Sequence, residues 1–316
     1  MNYLNQSLSR RGFMARAGLF TAGALVTPWH LVDETSPVTV IINEAAKSPI
    51  TVQPLRSNIS VLEGSGGNIV VFTGGEGKLM VEAGIDVSKA KMKKTLSGLN
   101  DKPVRYLINT HWHFDHTSGN EWVHQDGATI IAHENTKKNM SKITRVDDWN
   151  YTFPAASKGA LPTITFKKEH TLRMNGEIIH LHYYGTAHTD SDISVHFQNA
   201  DVLLVADTWW NGHYPFIDFN TGGNIAGMLR ATNDNINRVS DKTIIVPGHG
   251  PVGNKRQLIA YRDMLTTVKE TIEALKKKGQ SLQEVVASKP TKAYDAKWGQ
   301  FVISGDFFTN LVYRSV

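Results

Sequence analysis

Seven side chains with metal-binding chemistry stand where apolar segments give way to turns. In Thr110-His111-Trp112-His113-Phe114-Asp115-His116, four of them fall within six residues. Residues two apart in an extended chain project to the same side, so His111 and His113 can converge on one ion. Asp115 and His116 come after the chain bends and can face a second position. A lone histidine is more often a packing residue, but this density is not explained by packing. His188 follows in Gly185-Thr186-Ala187-His188-Thr189, Asp207 after Val202-Leu203-Leu204-Val205-Ala206, and His249 in Pro247-Gly248-His249-Gly250. Small residues beside them let the backbone bend close to an ion. Imidazole and carboxylate donors without thiolate suit zinc, and also manganese or iron. The 316 residues include no Cys, which removes disulfides, a thiolate nucleophile, zinc fingers and iron–sulfur clusters.

The elements that must hold these residues follow from pattern. Strands are expected at 37–43, then as a meander at 59–62, 68–73 and 78–81, with Gly-rich turns at 64–67 and 74–77. An amphipathic helix over 88–99 leads to an apolar strand at 104–109, the His-rich loop, a short helix, a strand at 129–132 and a helix at 134–140. Residues 142–163 lack periodicity and read as a loop over a site. The second half repeats the order: strands at 170–173, 177–184, 193–197 and 202–206, an aromatic loop at 209–219, a helix near 224–238 and a strand at 243–246. The tail reads as helical at 255–278, after Ser281, and around 307–313. Strands, helix, strand, helix, given twice, predict an α+β chain with two packed sheets and helices on both outer faces. One domain over 33–316 is expected.

The net charge of +5 invites a nucleic-acid reading, which its distribution removes. Arg10, Arg11 and Arg16 are the only charged side chains in the first 30 residues, and an apolar stretch from Ala17 to Val26 follows them. A basic region before an apolar one is export-signal order, and the paired arginines with Phe13 resemble a twin-arginine signal. The stretch is too short and too rich in Gly, Ala and Thr to span a bilayer stably. Residues 1–32 are therefore expected to be an export signal handled by the export machinery, with a periplasmic mature protein. Removing them leaves 31 basic side chains (34 less three) against 29 acidic ones, a net +2. No basic stripe remains for nucleic acid. A small-molecule substrate is the expected partner; oligomeric state is not legible.

The run from 110 to 120, with the later His, Asp and Gly-His-Gly elements, resembles the metallo-β-lactamase fold superfamily of hydrolases. The resemblance implies an αβ/βα sandwich with metals at the edge between the sheets. It implies one zinc on His111, His113 and His188, and a second on Asp115, His116 and His249, with Asp207 bridging both. Two zinc ions at such a site lower the pKa of a shared water, supplying hydroxide for attack on a carbonyl or phosphoryl centre. Asp115 is expected to orient that nucleophile or move its proton. Thr110, Thr189 and Asp190 are candidates to orient imidazoles, whereas Asp192 and Asp218 read as turn residues.

Substrate class is less specified. Trp209, Trp210, His213 and Tyr214 are expected as an apolar substrate wall. Trp210 is three past Asp207, where lactone-cleaving relatives carry a Tyr; an indole can only donate, so His213 or Tyr214 would substitute. Trp112 and Phe114 are expected to pack. The missing Cys excludes the Cys-ligated β-lactamases, and Asp207 counts against the remaining subclass. The expected function is a dinuclear zinc hydrolase of the glyoxalase II-like and lactonase-like branch, acting on a small ester, lactone, thioester or cyclic amide. The alternatives are a zinc β-lactamase, a mononuclear iron sulfur dioxygenase, and a metal-binding protein without turnover.

Overall fold

The structure, a computed structural model, describes residues 36–316, so the expected export segment lies outside the described residues. The chain opens with α1 (Pro37–Lys47), where a strand was expected over 37–43. Pro37 sits in the first turn, where its missing N–H costs nothing. Val38, Ile41, Ile42 and Ala45 then recur at helical spacing, and Val38 and Ala45 are buried. The β-branched run suggested a strand, but the period over the full eleven residues is helical.

The first sheet begins as the antiparallel meander β1 (Thr51–Pro54), β2 (Ile59–Glu63), β3 (Ile69–Gly74) and β4 (Gly77–Val81). Helix α2 (Lys89–Leu99) returns the chain to β5 (Val104–Asn109), parallel to β4. Two short helices, α3 (Phe114–Thr117) and α4 (Asn120–Gln125), precede β6 (Thr129–His133), which is parallel to β5. Helix α5 (Glu134–Met140) leads into the segment expected as a loop. That segment holds a small hairpin, β7 (Thr144–Val146) with β8 (Tyr151–Phe153), and is followed by β9 (Ile164–Phe166), which closes the seven-stranded sheet.

The second sheet runs in sequence order as β10 (Glu169–Met174), β11 (Glu177–Tyr183), β12 (Ile193–Phe197), β13 (Val202–Trp210) and β14 (Ile244–His249). Only β13 and β14 are parallel, as the intervening α6 (Ile225–Arg238) requires. The tail is α7 (Lys255–Lys277), α8 (Leu282–Ala287), α9 (Lys292–Trp298) and α10 (Gly305–Ser315). No helix among the described residues is long and apolar enough to cross a membrane.

Alternation sorts the side chains into layers. Val61, Val70, Leu79, Ile108, Val195, Leu204 and Val246 meet between the sheets. Met80, Leu107 and Ile130 face Met92 and Leu96 of α2. Leu203, Val205 and Ile245 face Met228 of α6 and Leu258, Tyr261 and Leu265 of α7. Burying such a side chain contributes about 1.5–3 kcal/mol. The fold is therefore an αβ/βα sandwich of the α+β class. Both sheets end at one edge, where Ile193 N donates to Thr110 O (3.0 Å) and Asn68 N to Gly248 O (2.8 Å). These bonds tie the loop after β5 and the end of β14 to the opposite sheet.

Candidate metal centre

Each predicted ligand is delivered to that edge by a strand end. β5 runs into Thr110, whose backbone N–H and hydroxyl both donate to the Glu82 carboxylate. Asn109 and Asn120 exchange side-chain hydrogen bonds of 3.0 and 2.8 Å, which holds the strand end against α4. His111 and His113 lie in the extended segment that follows, and Asp115 and His116 in the single turn of α3. His188 lies in the β11–β12 connection. Asp207 is inside β13 rather than after it, at a register irregularity beside Ala206 (φ 46°). A left-handed alanine is strained, and Glu82 (φ 70°) is another such residue at the same edge. His249 is the last residue of β14.

The structure brings all seven together. His111, His113, His188 and Asp207 each present one donor atom within 4.8 Å of the others, and so do Asp115, His116 and His249. His113 Nδ1 is 2.9 Å from His188 Nε2. Asp207 Oδ2 lies 3.4 Å from His188 Nε2 and 3.4 Å from His249 Nε2, while its Oδ1 is 3.2 Å from His116 Nε2. It thus touches both groups. Asp115 Oδ2 faces His249 Nε2 at 3.3 Å and His116 Nε2 at 3.4 Å. Gly248 and Gly67 make this closeness possible. A Cβ on Gly248 would lie 1.9 Å from Asp207 Oδ1, and one on Gly67 2.3 Å from His116 Cε1.

The polar atoms show what the cluster fits. His111 Nε2, both ring nitrogens of His116 and Asp207 Oδ1 are buried without an aligned hydrogen bond. An unsatisfied buried polar group costs about 1–3 kcal/mol, so four together need a compensating ligand. Imidazole and carboxylate donors converging in this way fit a divalent cation. Burial, aided by the neighbouring His116, pushes His111 well below the ordinary histidine value. Burial brings His188 down to about 4. Both are neutral near pH 7, as a ligand must be. Burial opposes the charges of Asp115 and Asp207, yet the facing His116 and His249 rings hold both carboxyls well below their usual range. The same attraction, led by Asp207, overcomes burial and raises His249 to about 9.

The family model of the Metallo-beta-lactamase superfamily matches residues 62–249, from the second strand to the last predicted ligand. The chain belongs to this superfamily. The 2,4-dinitroanisole O-demethylase subunit alpha of Nocardioides sp. (strain JS1661) is 26% identical over 167 residues, which are 52% of this chain and 47% of that protein. A metallo-beta-lactamase from Pontibacter korlensis superposes with a TM-score of 0.55 at 17% identity, covering 69% of this chain and 99% of that one. The sec-alkylsulfatase Pisa1 from Pseudomonas sp. gives 0.64 at 14%, covering 87% and 52%. The chain therefore spans about half the length of the O-demethylase subunit and of the sulfatase. The structural likenesses are likenesses of fold.

Around the seven predicted ligands, the outer partners differ from those expected. Thr110 does reach an imidazole, its Oγ1 3.1 Å from His111 Nδ1. Thr189 instead donates to Asp192 (2.8 Å), and the Asp190 carboxylate accepts from Asn139 (2.6 Å), so neither orients a ring. Asp218, read as a turn residue, has its Oδ2 3.1 Å from His113 Nε2 and also accepts from Thr221 (2.7 Å). His188 Nδ1 donates to Phe216 O at 2.8 Å, which leaves Nε2 to face the cluster. Glu82 backs His116 Nδ1 at 3.5 Å and was not anticipated. Its signal was an acid directly after the apolar run of β4.

The expected substrate wall divides. Trp210 packs on His249, ring centroids 4.3 Å apart, and His213 lies against Phe301 at 4.8 Å. Trp209 and Tyr214 are fully buried in the helix-facing core, which corrects their assignment to a wall. Tyr214 stacks on Phe308, and its hydroxyl donates to Asp295 (3.0 Å) and Thr291 O (3.2 Å), so it cannot substitute for a carbonyl-assisting Tyr. Trp112 and Phe114 pack as expected, on Phe153.

Proposed function

We propose that the protein is a dinuclear zinc hydrolase acting on a small ester, lactone, thioester or cyclic amide, exported to the periplasm by a twin-arginine route. The observation that carries this reading is the convergence of seven donors, among which His111, His116 and Asp207 leave four buried atoms without a hydrogen-bond partner. His111, His113 and His188 would hold one metal and Asp115, His116 and His249 the other, with Asp207 shared. Bound there, divalent zinc supplies Lewis acidity and lowers the pKa of water at neutral pH.

The chain's own residues do the rest. Asp218 and Phe216 O fix His113 and His188 so that each turns one nitrogen toward the cluster. Asp115 is one of the few members with solvent access, and its Oδ2 accepts the proton of the attacking water. Water adds to the carbonyl carbon, the bond to the leaving heteroatom breaks, and the proton passes to that heteroatom. Trp210 shields the His249 edge from bulk water. Asp207 in contact with both groups favours this branch over a dedicated β-lactamase.

The test is a panel of lactones, thioesters, esters, β-lactams and phosphodiesters, run on wild type and Asp115→Ala. Metal-dependent turnover of a carbonyl substrate that Asp115→Ala abolishes supports the reading. One iron per chain with oxygen uptake would overturn it. Replacing Arg10 and Arg11 by Lys should block export, and an unchanged location refutes the twin-arginine route.

A further inference from the structure

The cluster is closed on most sides. The side chains of His111, His116 and His188 have no solvent exposure, whereas His249, His113 and Asp115 keep 11%, 7% and 6%. A substrate can therefore approach only along His113, Asp115 and His249. Aromatic rings flank both ends of that opening. On the His113 side stands Trp149, its centroid 6.3 Å from the imidazole, braced edge-on by Phe216 at 5.0 Å and Phe114 at 6.1 Å. On the His249 side stands Phe301, 6.1 Å from the imidazole and 6.0 Å from Trp210.

Both rings come from outside the strands that carry the ligands. Trp149 lies in the turn between β7 and β8, and Phe301 in the turn between α9 and α10, beyond the residues the superfamily model matches. The Trp149 turn is held in place. Ser36 Oγ donates to Trp149 O (2.9 Å), and Arg314 pairs with Asp148 at 2.6 Å while lying over the Phe219 ring.

Among the described residues, no lysine or arginine hydrogen-bonds or ion-pairs with any of the seven predicted ligands, or with Glu82 or Asp218. The Asp115 carboxylate stands at the opening instead, and those of Asp207, Glu82 and Asp218 are buried close to the cluster. An anionic group remote from the reacting bond would leave water with no counter-charge to receive it, which is costly.

From this geometry we infer that the substrate presents an uncharged aryl group, held between Trp149 and Phe301, beside the bond that is cleaved. Offset-stacked and edge-on ring contacts add to simple area burial, so the two rings favour an aryl group over an aliphatic group of the same size. Trp149 and Phe301 are positioning residues that set specificity. The inference rests on the proposed hydrolytic site and deepens it.

The test uses three ketones that cannot be hydrolysed: 4-phenyl-2-butanone, 4-cyclohexyl-2-butanone and 4-(3-oxobutyl)benzoate. Their binding to the zinc-loaded protein is followed by calorimetry and by tryptophan fluorescence. The phenyl ketone should bind about two- to twelvefold more tightly than the cyclohexyl ketone, the factor of a ring-on-ring contact. It should bind at least about tenfold more tightly than the carboxylate. Trp149→Leu and Phe301→Leu should each shrink the phenyl-over-cyclohexyl preference, and circular dichroism checks their fold. Equal binding of all three, no binding of any, or an unchanged preference in both variants overturns the inference. Phenyl preference without turnover in the hydrolysis panel would sink the hydrolase reading and leave the aryl site standing. Turnover without that preference does the reverse.

Discussion

Removing the charge of Asp218 without changing its shape isolates what a single carboxylate does for the proposed metal site. Asp218 is fully buried, with Oδ2 3.1 Å from His113 Nε2, and His113 turns Nδ1 toward His188. Burial opposes its charge, but the bonds to His113 and Thr221 bring the carboxyl down to about 2, so it is ionised at neutral pH. In Asp218→Asn the amide oxygen still accepts from His113 Nε2–H, and ring orientation survives. A hydrogen bond to a charged group contributes about 1.5–3 kcal/mol and a neutral one about 0.5–1.5, so about 1–1.5 kcal/mol is lost. That corresponds to about five- to thirteenfold weaker zinc binding. Asp218→Ala also frees the ring and leaves His113 Nε2 without a partner, which should cost about 10–100-fold. The assay is competition against a chromophoric chelator, with circular dichroism confirming that both variants fold. Asn and Ala variants that bind zinc as tightly as wild type would refute the argument that Asp218 acts through His113.

Gly248→Ala would push a methyl into Asp207 Oδ1, and a misplacement near 1 Å costs about 100-fold in turnover; retained turnover would show that Asp207 is not needed where it stands. Tyr214→Phe should lower stability by about 1–2 kcal/mol through the lost Asp295 bond and leave turnover unchanged, and a loss of turnover at intact stability would return Tyr214 to the site. His249 titrates at about 9 in the folded protein against an ordinary 6.5. Its attraction to Asp207 therefore stabilises the metal-stripped protein fully below pH 6.5, and that contribution is lost as pH rises through about 9. Zinc must displace the proton, so zinc affinity should rise over the same range; parallel trends in urea midpoint and zinc affinity would contradict the pairing.

The ligands were legible because they obey rules that act within a few residues. His111 and His113 share a side through extended-chain periodicity, and Gly248-His249-Gly250 ends β14 with small residues that admit close approach. What was not legible depends on partners brought together by the fold. Glu82 reaches Thr110 because β4 and β5 pair in parallel, with Glu82 N bonded to Ile108 O. Asp218 looked like a turn residue and is one, since it accepts from Asn220 N, but the same carboxylate meets His113 from a distant loop. Trp209 and Tyr214 carry the composition of a binding wall, yet helices far along the chain bury them. α1 has the β-branched run of a strand, but its helical spacing over eleven residues decides.

In the proposed function, seven side chains at one sheet edge hold two metal ions and cleave a carbonyl substrate with them. The most direct measurement is anomalous diffraction at the zinc edge from crystals of the zinc-loaded protein. Two peaks are expected, one among His111, His113 and His188 and one among Asp115, His116 and His249, with Asp207 touching both. A single peak, or scattering away from these residues, would contradict it.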